Sequence, residues 1–258
     1  MPEYSVAVKR EGAVASLIIN RPKLMNAINL ETMNSLLTAF ERIASDESVR
    51  VIIIEGAGGN FSVGADMELL SESRDVSQWY VFLKNWVSRL ILAMRTASQP
   101  IICKVRGNAY GFGVGLALAG DFVIAAEDAR FCESFVDIGV TLDGGSSYFL
   151  PRLVGMARAR ELVLLGGVIS GKDAASMGLI YRAVPENSLN EEAVSLSQSL
   201  LGKSGRALAN IKEALEGSFH RSLEEALEWE ASHQAIFLQS EELKAAVRVF
   251  LAAKDNGK

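Results

Sequence analysis

The stretch from Ile101 to Gly155, IICKVRGNAYGFGVGLALAGDFVIAAEDARFCESFVDIGVTLDGGSSYFLPRLVG, constrains this chain more than any other. Ile101 to Val105 reads as a buried strand that runs into Gly107, Gly111, Gly113 and Gly115, and Val114 to Ala119 reads as the start of a helix. A glycine turn into a helix leaves backbone N–H groups unpaired, and the helix dipole adds partial positive charge, so an anion or a developing oxyanion is favoured there. A second glycine turn, Phe61-Ser62-Val63-Gly64-Ala65-Asp66-Met67, follows the apolar strand Val51 to Ile54. One such turn need be nothing more than a tight bend. Two could each aim one N–H at the same carbonyl oxygen and stabilise an enolate or a tetrahedral oxyanion.

The rest of the chain reads as mixed α/β. Tyr4 to Lys9 and Val14 to Asn20 form a predicted hairpin, and Pro22 ends its ladder because it has no N–H to donate. Leu30 to Ser45 carries apolar residues at helical spacing, and Val49 to Glu55 is apolar enough to be a strand buried on both faces. One long helix is expected from Asp75 to Thr96, its apolar stripe serving as core. A helix opening at Ser170 and a short strand from Ile180 to Val184 follow. Strand, glycine turn and helix recur loosely along this half of the chain, and only helices are expected after Pro185. The expected division is therefore a core over 1–187 and a helical region over 188–258.

Composition narrows the function classes. The net charge is −5 with no run of Lys or Arg, which argues against nucleic acid or an anionic membrane as partner. The chain has no apolar run of spanning length, and its first residues lack the pattern of a leader, so a cytoplasmic location is expected by default. Cys103 and Cys132 sit in apolar segments and read as buried, reduced thiols. His220 and His233 lack metal-ligand spacing and are expected to be structural or surface residues, no Ser/His/Asp elbow is visible, and no glycine fingerprint for a nicotinamide cofactor follows the first strand.

FSVGADM and RGNAYGFGVGLALAGD, with NRPKLMNAIN upstream and DGGSSYFLPRLVG downstream, give the chain a resemblance to the crotonase superfamily, the enoyl-CoA hydratase/isomerase family. The four motifs occur in the family's order, and the pattern is most similar to isomerase-like members of the phenylacetate pathway. The resemblance implies a spiral of repeated ββα units with a helical C-terminal region that packs between subunits, so a homotrimer, or a hexamer built as a dimer of trimers, is expected. It implies an acyl-CoA thioester as ligand, coenzyme A belonging to the substrate, with no separate cofactor and no metal. It carries the two oxyanion donors onto the N–H of Ala65, after Gly64, and of Phe112, between Gly111 and Gly113. It places the adenine and pantetheine along Lys23, Leu24, Asn26 and Ala27 and along Gly64, Asp66 and Met67, with Lys254 as a weaker phosphate contact.

The departures from the family pattern matter as much. The two glutamates that hydratases use fall on Gly115 and Phe135, neither of which can move a proton. Asp143 matches a position where some isomerases of the family keep an acid, although an Asp before Gly144-Gly145 could equally be a helix N-cap. Glu133 shares the side of Phe135 if the strand stays extended, and it reads as a surface or loop acid. Aromatic Phe112, Phe135, Tyr148 and Phe149 suit an aromatic acyl pocket or an ordinary core. The implied activity is a double-bond shift in an enoyl-CoA, with Asp143 moving a proton between carbons. Hydration or thioester hydrolysis with Asp143 activating water stays open, as does a non-catalytic acyl-CoA-binding role.

Overall fold

A computed structural model describes residues 4–255, with side chains as far as residue 251. The chain opens with the hairpin β1 (Val6–Glu11) and β2 (Val14–Ile19), then α1 (Leu30–Ala44), β3 (Val51–Gly56) and the short α2 (Met67–Ser71). Asn29 caps α1 by accepting from Thr32 N–H, and Met33, Leu36, Leu37, Phe40 and Ile43 bury one face, as the apolar spacing requires.

The long helix expected from Asp75 to Thr96 is α3 (Val76–Phe82) and α4 (Arg89–Thr96) joined by a π-helical segment over Leu83–Ser88. The inserted turn shifts the helical phase, so of the apolar stripe expected to serve as core Val87, Leu90, Ile91 and Met94 are buried, whereas Val76, Tyr80 and Leu83 are exposed and Phe82 is buried in their place. After β4 (Ile101–Val105) come β5 (Asn108–Tyr110), α5 (Phe112–Leu118), β6 (Phe122–Ala126), β7 (Arg130–Cys132) and α6 (Ser146–Leu165), which is kinked at Gly155. The elements β8 (Ile169–Ser170), α7 (Gly171–Ser176), β9 (Arg182–Val184) and α8 (Leu189–Leu201) complete the core, and α9 (Gly205–Gly217), α10 (Leu223–Leu238) and α11 (Glu241–Asp255) follow.

One sheet has the order β1-β2-β3-β4-β6-β9, parallel except for the β1/β2 hairpin. A smaller sheet, β5-β7-β8, pairs Tyr110 with Cys132 in parallel register. From β4 the chain crosses to the second sheet at β5, returns at β6, crosses again for β7 and β8 and returns at β9, as the expected spiral of ββα units requires. The central strands β3 and β4 are buried almost throughout, consistent with coverage of both faces.

The chain divides into two compact units between Leu201 and Gly202, so α8 goes with the core rather than with the later helices. Leu189, Ala193 and Leu200 are buried, whereas no described side chain from 202 to 251 is. In the second unit His233 stacks on Trp229, a structural placement, and no described helix is long and apolar enough to cross a membrane.

Candidate active site

Three segments are stitched together around Ser62. Its N–H donates to the Asn108 carbonyl (3.0 Å), its carbonyl accepts from Tyr110 N–H (3.0 Å), and its hydroxyl donates to the Asn26 carbonyl (2.8 Å) while accepting from Gly64 N–H (3.1 Å). Gly64 has φ +83°, and a Cβ built there would lie 2.7 Å from the Tyr110 carbonyl oxygen and 3.2 Å from Phe112 N. A Cβ on Gly113 would lie 2.3 Å from the Ser62 carbonyl oxygen. Only glycine at these positions lets the two turns meet. Neither Ala65 N–H nor Phe112 N–H donates a hydrogen bond within the described chain. Phe112 opens α5, where the unpaired donors of a helix N-terminus lie.

The loop before α6 closes over this arrangement. A Cβ on Gly115 would lie 2.7 Å from the Gly144 carbonyl oxygen, and one on Gly144 would lie 2.9 Å from the Phe112 ring. The Phe112 side chain therefore props the Asp143–Gly145 loop, and Gly115 lets it settle against α5. Phe135 is buried, with its ring 3.7 Å from where a Gly111 Cβ would be, and forms an apolar wall beside the turn.

Asp143 caps nothing. The residue at the N-cap of α6 is Gly145, in the left-handed region, and it is the Asp143 backbone carbonyl, not the side chain, that accepts from Ser146 N–H. Of the two expectations for Glu133, a surface or a loop acid, the second holds and the first does not: it lies in the loop after β7 and is 3 % exposed. The strand β7 ends at Cys132, so the parity that put Glu133 beside Phe135 no longer applies, and the N-terminus of α6 lands on it. Both Glu133 oxygens, Asp143 Oδ1 and Ser146 Oγ are buried without a hydrogen-bond partner in the protein. Buried polar atoms are seldom left so, and their concentration in one place marks a site.

Burial pushes Asp143 up to about 6. Burial also raises Glu133, to about 7, with the Asp143 charge adding to it and the facing Ser146 hydroxyl opposing it from beyond hydrogen-bond geometry. The repulsion falls on Glu133 because Asp143 ionises first, against a neutral neighbour, and Glu133 ionises second, against a charge.

The expected ligand-contacting residues divide into two sets. Lys23 and Leu24, in a short turn before the Gly64 segment, and Met67, which opens α2 after it, are exposed. Asn26 and Asp66 spend their side chains inside the protein. Asn26 Oδ1 accepts from Arg21 N–H, and its Nδ2 donates to the carbonyls of Ala57 (2.9 Å) and Asn60 (2.7 Å). Asp66 caps α2 and pairs with Arg21 at 2.7 Å, and the same Arg21 nitrogen donates to the Ala27 carbonyl. These two hold the loop in shape. Lys254 lies outside the described side chains.

Two free backbone donors beside the buried Glu133 and the half-buried Asp143 define a class of site that can stabilise an oxyanion and move a proton in one place. Residues 9–256 match the family model Enoyl-CoA hydratase/isomerase. The 1,2-epoxyphenylacetyl-CoA isomerase of Escherichia coli (strain K12) is 30% identical over 95% of this chain and 94% of its own length. The crotonyl-CoA hydratase of Syntrophomonas wolfei subsp. wolfei is 32% identical over 97% and 96%. An enoyl-CoA hydratase structure from Polaromonas sp. JS666 superposes with a TM-score of 0.90 at 28% identity, covering 96% of this chain and 97% of that one. The chain belongs to the enoyl-CoA hydratase/isomerase family and has the crotonase fold.

Proposed function

We propose that the protein shifts a double bond in an enoyl-CoA thioester, with the N–H groups of Ala65 and Phe112 holding the thioester oxygen and Asp143 as the acid/base. The observation that carries this is the approach of Gly64 to Phe112 N, with both donors free, beside a half-buried Asp143 whose carboxyl caps nothing and whose Oδ1 is buried without a partner. Each donor contributes about 3 kcal/mol to stabilising the enolate. An acid held at about 6 is matched to exchange with carbon near neutral pH. No group beyond the substrate's own thioester is required. Phe135 and Gly115 stand where a two-glutamate hydration mechanism needs acids, which favours isomerisation over hydration. Hydratase names among the relatives and solved structures, the Syntrophomonas protein and the Polaromonas structure included, stand on the side of hydration.

The test is to incubate 2- and 3-enoyl-CoA thioesters with the protein in deuterated water and follow mass and proton NMR. A double-bond isomer with deuterium at the α or γ carbon and no gain of water is expected, and Asp143→Asn is expected to lose it about 10²–10⁴-fold. A hydrated product, free coenzyme A, or full turnover by Asp143→Asn overturns the reading.

We further propose a homotrimer or a dimer of trimers. The uncovered apolar side chains of the second unit, among them Leu223, Leu227, Ile236 and Phe250, support it. A monomer by light scattering at micromolar concentration refutes it.

A further inference from the structure

Resting on that reading, we infer that Glu133 is a second catalytic residue and that the two carboxyl groups divide the proton transfers: Asp143 takes a proton from one carbon of the acyl chain and Glu133 delivers one to the other. The family pattern assigns no role to residue 133. The case rests on placement. Glu133 is 3 % exposed, yet neither of its oxygens has a partner in the protein, and the atoms left in the same state beside it are Asp143 Oδ1 and Ser146 Oγ. A purely structural buried glutamate would be hydrogen-bonded, because an orphaned carboxyl costs the fold what a bound group can recover.

The groups acting on Glu133 come from every element around it. Asp143 precedes α6, Ser146 opens it, and Cys132 ends β7. The Cys132 thiol, raised by burial and by the charges of Asp137 and Glu133 against the opposing Arg130, stays neutral and gives its hydrogen bond to the Gly166 carbonyl. Among the described residues no cation stabilises the Glu133 charge, so Glu133 keeps its proton while Asp143 has lost its own. One acid and one base then face the same site.

The step balances. The Asp143 carboxylate removes Cα–H, and the C–H electrons pass into the thioester carbonyl as a dienolate held by Ala65 and Phe112 N–H. A Cγ–H bond forms with the Glu133 proton as the electrons return, leaving the double bond at Cα–Cβ. Asp143 is now protonated and Glu133 ionised. Passage of one proton back between them, by way of the Ser146 hydroxyl or solvent, restores the start.

The experiment is single turnover of a 3-enoyl-CoA carrying deuterium on Cα, in ordinary water, with the wild-type protein, Glu133→Gln, Glu133→Asp and Asp143→Asn. In the wild type the deuteron stays on Asp143 and none reaches Cγ. Glu133→Gln, close in shape, is expected to lower kcat 10²-fold or more with little change in KM, and its residual product should carry deuterium at Cγ, because Asp143 alone must return what it took. Glu133→Asp should restore part of the rate and the label loss. Deuterium at Cγ with the wild type overturns the inference, and that result needs no variant to fold. Wild-type kcat in Glu133→Gln, with Asp143→Asn inactive, overturns it while leaving the double-bond shift intact. A hydrated product or an active Asp143→Asn fails the underlying reading instead.

Discussion

The Gly144 carbonyl oxygen lies 2.7 Å from where a Cβ on Gly115 would sit, so the loop that carries Asp143 rests on α5 only because residue 115 has no side chain. The family pattern puts a hydratase glutamate at that position. Here the room for it is filled by backbone, and under the proposed reading the acid comes from the loop instead.

Gly115→Ala therefore tests whether the loop's seat is needed. In an open helix the change would stabilise by up to about 1 kcal/mol. Against a backbone oxygen, which cannot swing aside, overpacking should reverse the sign and cost about 1–3 kcal/mol. A fall in melting temperature with a loss of turnover of tenfold or more is expected. A melting temperature above wild type with full turnover would show that the loop is not seated there.

The carboxyl pair sets a pH window. Asp143 must be ionised to accept a proton and does so above about 6, while Glu133 must be protonated to donate one and is so below about 7. The turnover rate should climb as pH passes about 6, peak between the two values and fall above about 7. Glu133→Gln should abolish the alkaline fall and leave the acid limb. A rate that stays level from pH 7 to 9 in the wild type would contradict the pairing.

Much of this arrangement is legible in the sequence, and the illegible part has a physical cause. The glycines at 64, 111 and 113 announce two turns because no other residue tolerates their backbone angles and approach, and the apolar runs at 51–54 and 101–105 announce the strands behind them. Glu133 is hidden because its burial depends on where α6 lands, a contact across ten or more residues of loop, and because a strand ending at Cys132 breaks the alternation that would place its neighbour. Asn26 and Asp66 look like surface ligand contacts in a polar loop. Only the structure reveals that Arg21 and the carbonyls of Ala57 and Asn60 consume them.

Stability should record the same carboxyls. Both have folded pKa values above their ordinary ones, so the folded state holds protons that the unfolded chain has released. Their contribution is present in full below the ordinary carboxylate range and is lost as pH rises to about 6 for Asp143 and about 7 for Glu133. At 1.36 kcal/mol per unit the loss is on the order of 3 kcal/mol for each group. Urea unfolding should give a lower free energy at pH 8 than at pH 5, and Glu133→Gln should shrink the difference. An equal or larger drop in the variant would mean that the Glu133 charge is already compensated.

The Arg21–Asp66 pair bears on the first oxyanion turn from outside. Burial pushes the Asp66 carboxyl up, but the Arg21 guanidinium and the Glu68 N–H together outweigh it and hold the group below its ordinary value. The pair's stabilisation is thus present above the usual carboxylate range and fades as pH falls through the lowered value. Arg21 also holds the Ala27 carbonyl, and Ile28 N–H donates to the Gly64 carbonyl, so one side chain braces the loop on which Ala65 N–H is aimed. Removing it leaves a buried carboxylate with the Glu68 N–H but no counter-charge, and Arg21→Ala should cost about 3 kcal/mol of stability. Because the brace acts on the donor's position, the variant should also lose turnover more than it loses affinity for coenzyme A thioesters. Turnover at the wild-type level in a folded Arg21→Ala protein would show that the Gly64 turn holds its shape without it.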